Sequence, residues 1–167
     1  VKNRLVVWII ALIVLFPIIN FYIPTRNLPD DYKIEVEKLS MENEDDIKFI
    51  KSIYNEIGST FTSDAGCWSD YGGRNYLMDG GKIFKLKGEC LPCHIQNNLL
   101  QASLIESGRF EPIQLKTIQT VCWSVPMFHI YSEIHLDDGE ILKVDTWGRN
   151  WNVNFGETIK DTEVCNK

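Results

Sequence analysis

The chain has 167 residues, 44% of them hydrophobic, which suits one packed domain and excludes a disordered chain. Its formal net charge is -6, from 17 basic and 23 acidic residues. Lys2 and Arg4 precede every acidic residue, so the rest of the chain is the more acidic part and excludes nucleic acid as the expected partner.

Residues 5–23 are apolar apart from Pro17 and Asn20. A run of about 19 such residues crosses ~30 Å of hydrocarbon, and proline is tolerated in membrane helices. Lys2 and Arg4 on its N-terminal side place that end in the cytoplasm, with Arg26 a weak counterweight. The run ends in Asn20-Phe21-Tyr22-Ile23-Pro24, without the small-residue pattern of a signal-peptidase site. The sequence therefore predicts an uncleaved signal anchor over residues 1–24, a linker over 25–33 and an exported domain over 34–167. A signal peptide cut at an atypical site would export the same domain. All five cysteines (Cys67, Cys90, Cys93, Cys122 and Cys165) fall in the exported part, where disulfides persist. Two bridges and one free thiol is the simplest inventory.

In the domain, residues 33–39 alternate charged and apolar side chains and predict an edge strand. Residues 42–57 predict an amphipathic helix, with Ile47, Ile50, Ile53, Tyr54 and Ile57 on one stripe and Gly58 as its stop. Residues 59–81 read as a long irregular segment rich in Gly, Ser, Asp and aromatics, and 82–87 as a short extended run. Residues 93–107 predict a second helix with the stripe Ile95, Leu99, Ala102 and Ile105, Pro92 at its start and Gly108 at its end. Strands follow over 112–125, 129–136 and 140–146. The last two form a hairpin around Asp137-Asp138-Gly139, which needs a positive φ at the glycine. That loop pairs Ile134 with Leu142, Ser132 with Val144, and Glu133 with Lys143. Tyr131 then opposes Asp145, so His129 becomes a diagonal neighbour of Asp145 on one face. The fold class is α+β: a helix with an N-terminal cysteine on an antiparallel sheet.

This arrangement carries chemistry. A cysteine at a helix start has its thiolate favoured by the dipole and free N–H groups. An imidazole takes its proton and a carboxylate orients the ring. Cys93, His129 and Asp145 supply the three groups in that chain order. Taken singly, His129 reads as an ordinary strand histidine and Asp145 as a strand-end residue. His94 and His135 read as surface or supporting residues, and Trp123, Trp147 and Trp151 as core or cleft walls. His129 and His135 stand too far apart along one strand to share a metal, and no metal is expected.

The stretches 93–108, 129–136 (His-Ile-Tyr-Ser-Glu-Ile-His-Leu) and 141–145 (Ile-Leu-Lys-Val-Asp) resemble the transglutaminase-like superfamily. His129, Tyr131 and Glu133 match its spacing of His, aromatic and Glu. The resemblance implies a papain-like core and an acyl-thioester formed on a cysteine, with Cys93 as nucleophile, His129 as general base and Asp145 as orienting carboxylate. It implies a peptide or amide substrate, of cell-envelope origin or another exported protein, and no cofactor. The family's Gly two residues before the cysteine fits Cys90 (Gly88), whereas the helix length to Gly108 fits Cys93. With Cys93 as nucleophile, Cys90 joins Cys67, Cys122 and Cys165 in disulfides of open connectivity. Two other readings use the same residues. Cys90-Leu91-Pro92-Cys93-His94 is also the attachment signature of c-type haem, with Met127 as a second ligand, and Cys90 with Cys93 is also a redox dithiol spacing. A third alternative is a non-catalytic interaction domain.

Overall fold

A computed structural model describes residues 27–63, 83, 87–122, 127–162 and 165. The expected anchor at 5–23, Cys67 with its aromatic surroundings, Trp123 and most of the run 82–87 lie outside the described residues. No helix among the described residues is long and apolar enough to cross a membrane. The domain is α+β, with helices α1 (Asp30–Glu42), α2 (Asp46–Thr60) and α3 (Cys93–Glu106). Strands β1 (Leu115–Cys122), β2 (Met127–His135) and β3 (Ile141–Val144) form an antiparallel sheet in that order.

Helix α1 replaces the expected edge strand and starts inside the expected linker. Pro29 is its N-cap, and Asp30 and Asp31 in the first turn suit the dipole. Tyr32 and Val36, four apart, are buried with Leu28, while Ile34 is 66% exposed. A strand would have put Ile34 and Val36 on one face; the observed burial follows the helical period instead. Helix α2 starts later than expected because α1 runs to Glu42 and the chain turns through Asn43 and Glu44. Asp45 caps it, accepting from Lys48 N at 2.8 Å. Phe49, Ile50, Ile53, Tyr54 and Ile57 bury its stripe. Gly58 lies inside the helix and is not its stop. A Cβ there would collide with the Arg149 guanidinium, whose Nη1 donates to Asn55 O at 2.8 Å.

Helix α3 is buried along almost its whole length, from Cys93 to Leu104. It packs on β2, and α1 and α2 pack on it. Leu99, Leu100 and Leu104 join the α1 and α2 stripes and Leu115, Ile134, Leu142 and Val144 of the sheet in one apolar core. The core is closed at one corner by Arg109, which follows α3. Its guanidinium donates to Ser40 O (3.3 Å), Asn43 O, Glu44 O (2.8 Å) and Asp46 Oδ1, and lies over the Phe49 ring at 4.8 Å. This fork ties the α1–α2 turn to the end of α3. Arg109→Ala is expected to lower the unfolding free energy by about 2 kcal/mol. Arg109→Lys should recover little, because one ammonium cannot span those acceptors. Urea titration measures both, and wild-type midpoints would remove the fork from the account.

The hairpin has the register read from the sequence. Ser132↔Val144, Glu133↔Lys143 and Ile134↔Leu142 are partners. Gly139 has φ 89°, and Leu136 N–H donates to Glu140 O at 2.9 Å. β1 pairs with β2 from Leu115↔Ile134 to Cys122↔Met127. Residues 112–114 form a 3-10 turn instead of extending the strand. Helix α3 covers the sheet face carrying Thr117 and Ser132. The C-terminal run covers the opposite face: Asp161 pairs with Lys143 at 3.4 Å, and Cys165 is disulfide-bonded to Cys122.

Candidate active site

Cys93 is the first residue of α3, after Pro92 at the N-cap. The segment leading to it is pinned to the end of α2. Gly88 N–H donates to Thr60 O (2.8 Å), Thr62 N–H to Glu89 O (3.1 Å) and Leu91 N–H to Thr62 O (3.0 Å). Gln96, one turn into the helix, donates from Nε2 to Leu91 O (3.0 Å), Thr62 O (3.2 Å) and Ser63 Oγ (2.9 Å). A completely buried amide thus holds the start of α3 in place. Cys93 is 5% exposed and its thiol is free. Cys90 is disulfide-bonded. The two sulfurs of the Cys-x-x-Cys stretch are therefore not equivalent: they are not a closed dithiol, and attaching haem through both would require opening the Cys90 bridge.

His129 lies on β2 and is fully buried. Its Nε2–H donates to Asp145 Oδ2 at 2.7 Å; a carboxylate only accepts, so the proton is on Nε2. Asp145 follows β3 and is gripped from two further sides. Oδ1 accepts from Gly148 N–H (2.8 Å) and Oδ2 from Ile159 N–H (3.0 Å). Gly148 approaches so closely that a Cβ would lie 2.8 Å from the carboxyl carbon. Nothing in local periodicity announced the Ile159 donor. The Gly148 donor had a signal, since an Asp accepting from a backbone N–H just downstream is a turn of the Asx kind.

With Nε2 committed to Asp145, Nδ1 is the nitrogen left for the thiol. The Cys93 side chain interacts with the ring, yet Nδ1 has no partner meeting strict hydrogen-bond geometry. The thiol and the ring are thus neighbours that interact without a hydrogen bond of ordinary geometry. Burial, the largest influence on the ring, opposes its charge. The hydrogen bond to Asp145, followed by the nearby Cys93 side chain and the Asp145 charge, outweighs burial and raises the imidazole to about 10. β3 has left the sheet at Val144, so β2 has no β3 partner beside His129 and Ile130. Cys93 clusters there with Ile130, Trp147, Val153 and Ile159. Trp147 leans on the imidazole at 5.3 Å between ring centroids and stacks on Trp151 at 5.5 Å. The structure thus brings Cys93, His129 and Asp145 together.

No protein family, curated protein or solved structure matches the chain. His94 is buried in α3 rather than at the surface, and burial pushes it down to about 4. His135 sits at the hairpin end of β2, opposite Ile141. No cluster of three His, Cys, Asp or Glu side chains that could hold a metal exists among the described residues.

Proposed function

We propose that the domain is a cysteine hydrolase or acyltransferase on a papain/transglutaminase-like core, acting on a peptide or carboxamide bond. The observation that carries this reading is the free Cys93 thiol at a helix start beside an imidazole whose far nitrogen is bound to a buried carboxylate. Residues 5–23 anchor the chain, and the domain lies outside the cytoplasm as a single-pass periplasmic or extracellular unit. The Cys122–Cys165 disulfide and the bonded Cys90 support that compartment. The substrate is a peptide or protein there, and neither nucleic acid nor a cofactor takes part.

In the reaction, the thiol proton already rests on His129 Nδ1, as the raised imidazole implies, and the thiolate sulfur attacks the carbonyl carbon. The C–N bond of the tetrahedral intermediate then breaks, and the leaving amine takes that proton from Nδ1. Water or a second amine attacks the resulting thioester, and the cysteine is regenerated with its proton. Asp145 holds the ring and stabilises the imidazolium. Backbone N–H groups at the start of α3 face the developing oxyanion. A second reading, a non-catalytic interaction domain on the same core, draws on the burial of both Cys93 and His129.

Alkylation of the full chain in detergent separates the two. An ordinary thiol is only about 0.3% thiolate at pH 6. The ratio of the Cys93 iodoacetamide rate at pH 6 to that at pH 9 is independent of how exposed the sulfur is. We expect that ratio to exceed a cysteine peptide's by about tenfold or more, and to fall to the peptide value in His129→Ala. A peptide-like ratio in the wild type, unmoved by His129→Ala, leaves the scaffold reading.

A further inference from the structure

Helix α3 carries an unusual burden of amides for a buried helix. Asn97 and Gln101, one turn apart, are both buried against the sheet. Ser132 Oγ donates to Asn97 Oδ1 at 2.6 Å. Gln101 Nε2 donates to Ser132 Oγ and to Thr117 Oγ1, each at 3.0 Å. Asn97 Nδ2 completes the circuit to Thr117 Oγ1 at 3.4 Å. Thr117 and Ser132 are themselves cross-strand partners on β1 and β2. Four polar side chains from three elements therefore close a ring between α3 and the sheet, with Thr117 half-buried at its edge.

Each of these groups costs free energy to bury, and the ring only recovers it. An apolar set of the same volume would hold helix and sheet together as well or better. What an apolar set lacks is discrimination. Sliding α3 by one residue moves it about 1.5 Å and turns its contact face by about 100°. Leucines tolerate such shifts, whereas these donors and acceptors match in one setting.

That setting controls the candidate site. Asn97 lies one turn from Cys93 on the same helix face. Ser132 lies on the β2 face toward α3, whereas His129, by strand alternation, points to the opposite face with Asp145. Beside His129 and Ile130, β2 has no β3 partner, and Cys93 packs there with Ile130. How far α3 projects along β2 decides whether the thiol meets the ring.

We propose that the Asn97–Gln101–Thr117–Ser132 ring is a positioning device that sets the register of α3 on β2 and so places the Cys93 thiol against His129. The proposal rests on the reading of Cys93 and His129 as a reactive pair. None of the four residues touches the reacting atoms.

The test uses the alkylation ratio at pH 6 and pH 9 on the full chain, with the thermal midpoint measured beside it. Ser132→Ala and Thr117→Val each remove one hydroxyl and break the ring. The combined Asn97→Leu/Gln101→Leu/Thr117→Val/Ser132→Ala protein replaces it with apolar volume. Leu104→Ala, a truncation of the same helix in the main apolar core, is the stability control. We expect the single ring variants and the combined one to lower the pH 6 to pH 9 ratio about tenfold. Leu104→Ala should lower the midpoint and leave the ratio at the wild-type value. Ring variants that fold and keep the wild-type ratio overturn the positioning role and leave the reactive pair intact. A wild-type ratio equal to a peptide thiol overturns both. Should the combined protein fail to fold, Ser132→Ala alone decides.

Discussion

Asp145→Ala is expected to lower the unfolding free energy by about 3–5 kcal/mol, the cost of removing one partner of a buried charged pair. The change strips the acceptor from His129 Nε2–H, Gly148 N–H and Ile159 N–H together. A buried donor without an acceptor loses its water and gains nothing in return. Asp145→Asn should fall between, since its amide keeps one oxygen but turns an NH2 toward a donor. Urea unfolding followed by tryptophan fluorescence measures both; a loss below about 1 kcal/mol for the alanine variant would show that the carboxylate is not what holds this corner.

The same substitution has a pH signature. His129 is raised in the folded protein to about 10 from an ordinary value near 6.5. The folded state therefore holds that proton more tightly than the unfolded chain does. The stability it contributes is fully present below pH 6.5 and is lost as the pH rises through about 10. Asp145→Ala removes the strongest support of the charged ring, so its stability should fall less steeply over that alkaline window. A wild-type curve flat from pH 6.5 to 10 would contradict the raised imidazole.

Gly148→Ala is the second large effect, and its cause is space. The added methyl would stand 2.8 Å from the Asp145 carboxyl carbon and from Oδ2, and 3.0 Å from Oδ1. The carboxylate cannot retreat freely, because donors hold it from three directions. Either the turn over Gly148–Trp151 opens or the carboxylate shifts and takes the His129 ring with it. Overpacking of this kind costs about 1–3 kcal/mol. The Cys93 alkylation ratio should move toward that of a peptide thiol. Wild-type stability together with a wild-type ratio in Gly148→Ala would mean that the turn absorbs the methyl harmlessly.

Much of the site was legible because one local element fixed it. The Asp137-Asp138-Gly139 loop sets the register as far as Ser132↔Val144, which leaves Asp145 just past the ladder, where the Gly148 and Ile159 N–H groups hold its carboxylate against His129. Pro92 and Gly108 bracket α3, so Cys93 at a helix start was legible too. α1 was misread because Lys-Ile-Glu-Val-Glu satisfies a period of two over a few residues. The helical signal lay just upstream, in Pro29 and the Asp30–Asp31 pair. Gly58 was misread as a stop because the Arg149 side chain that covers it comes from far along the chain. Asn97, Gln101 and Gln96 gave no sign of burial, since amides on a helix ordinarily mark its wet side. Their partners Thr117, Ser132 and Ser63 become neighbours only once the sheet and the α2–α3 connection are in place.

The grip of Ile159 on Asp145 also has a bearing on timing. Ribosomes deliver the chain from its N-terminus, so of these four groups Cys93 emerges first, His129 and Asp145 later, and the Ile159 donor last. A nascent domain stopped short of Ile159 has Cys93, His129 and Asp145 already made but leaves the Asp145 carboxylate with one donor fewer. On the proposed function, the thiol would gain a fully tethered His129–Asp145 pair only after Ile159 has emerged.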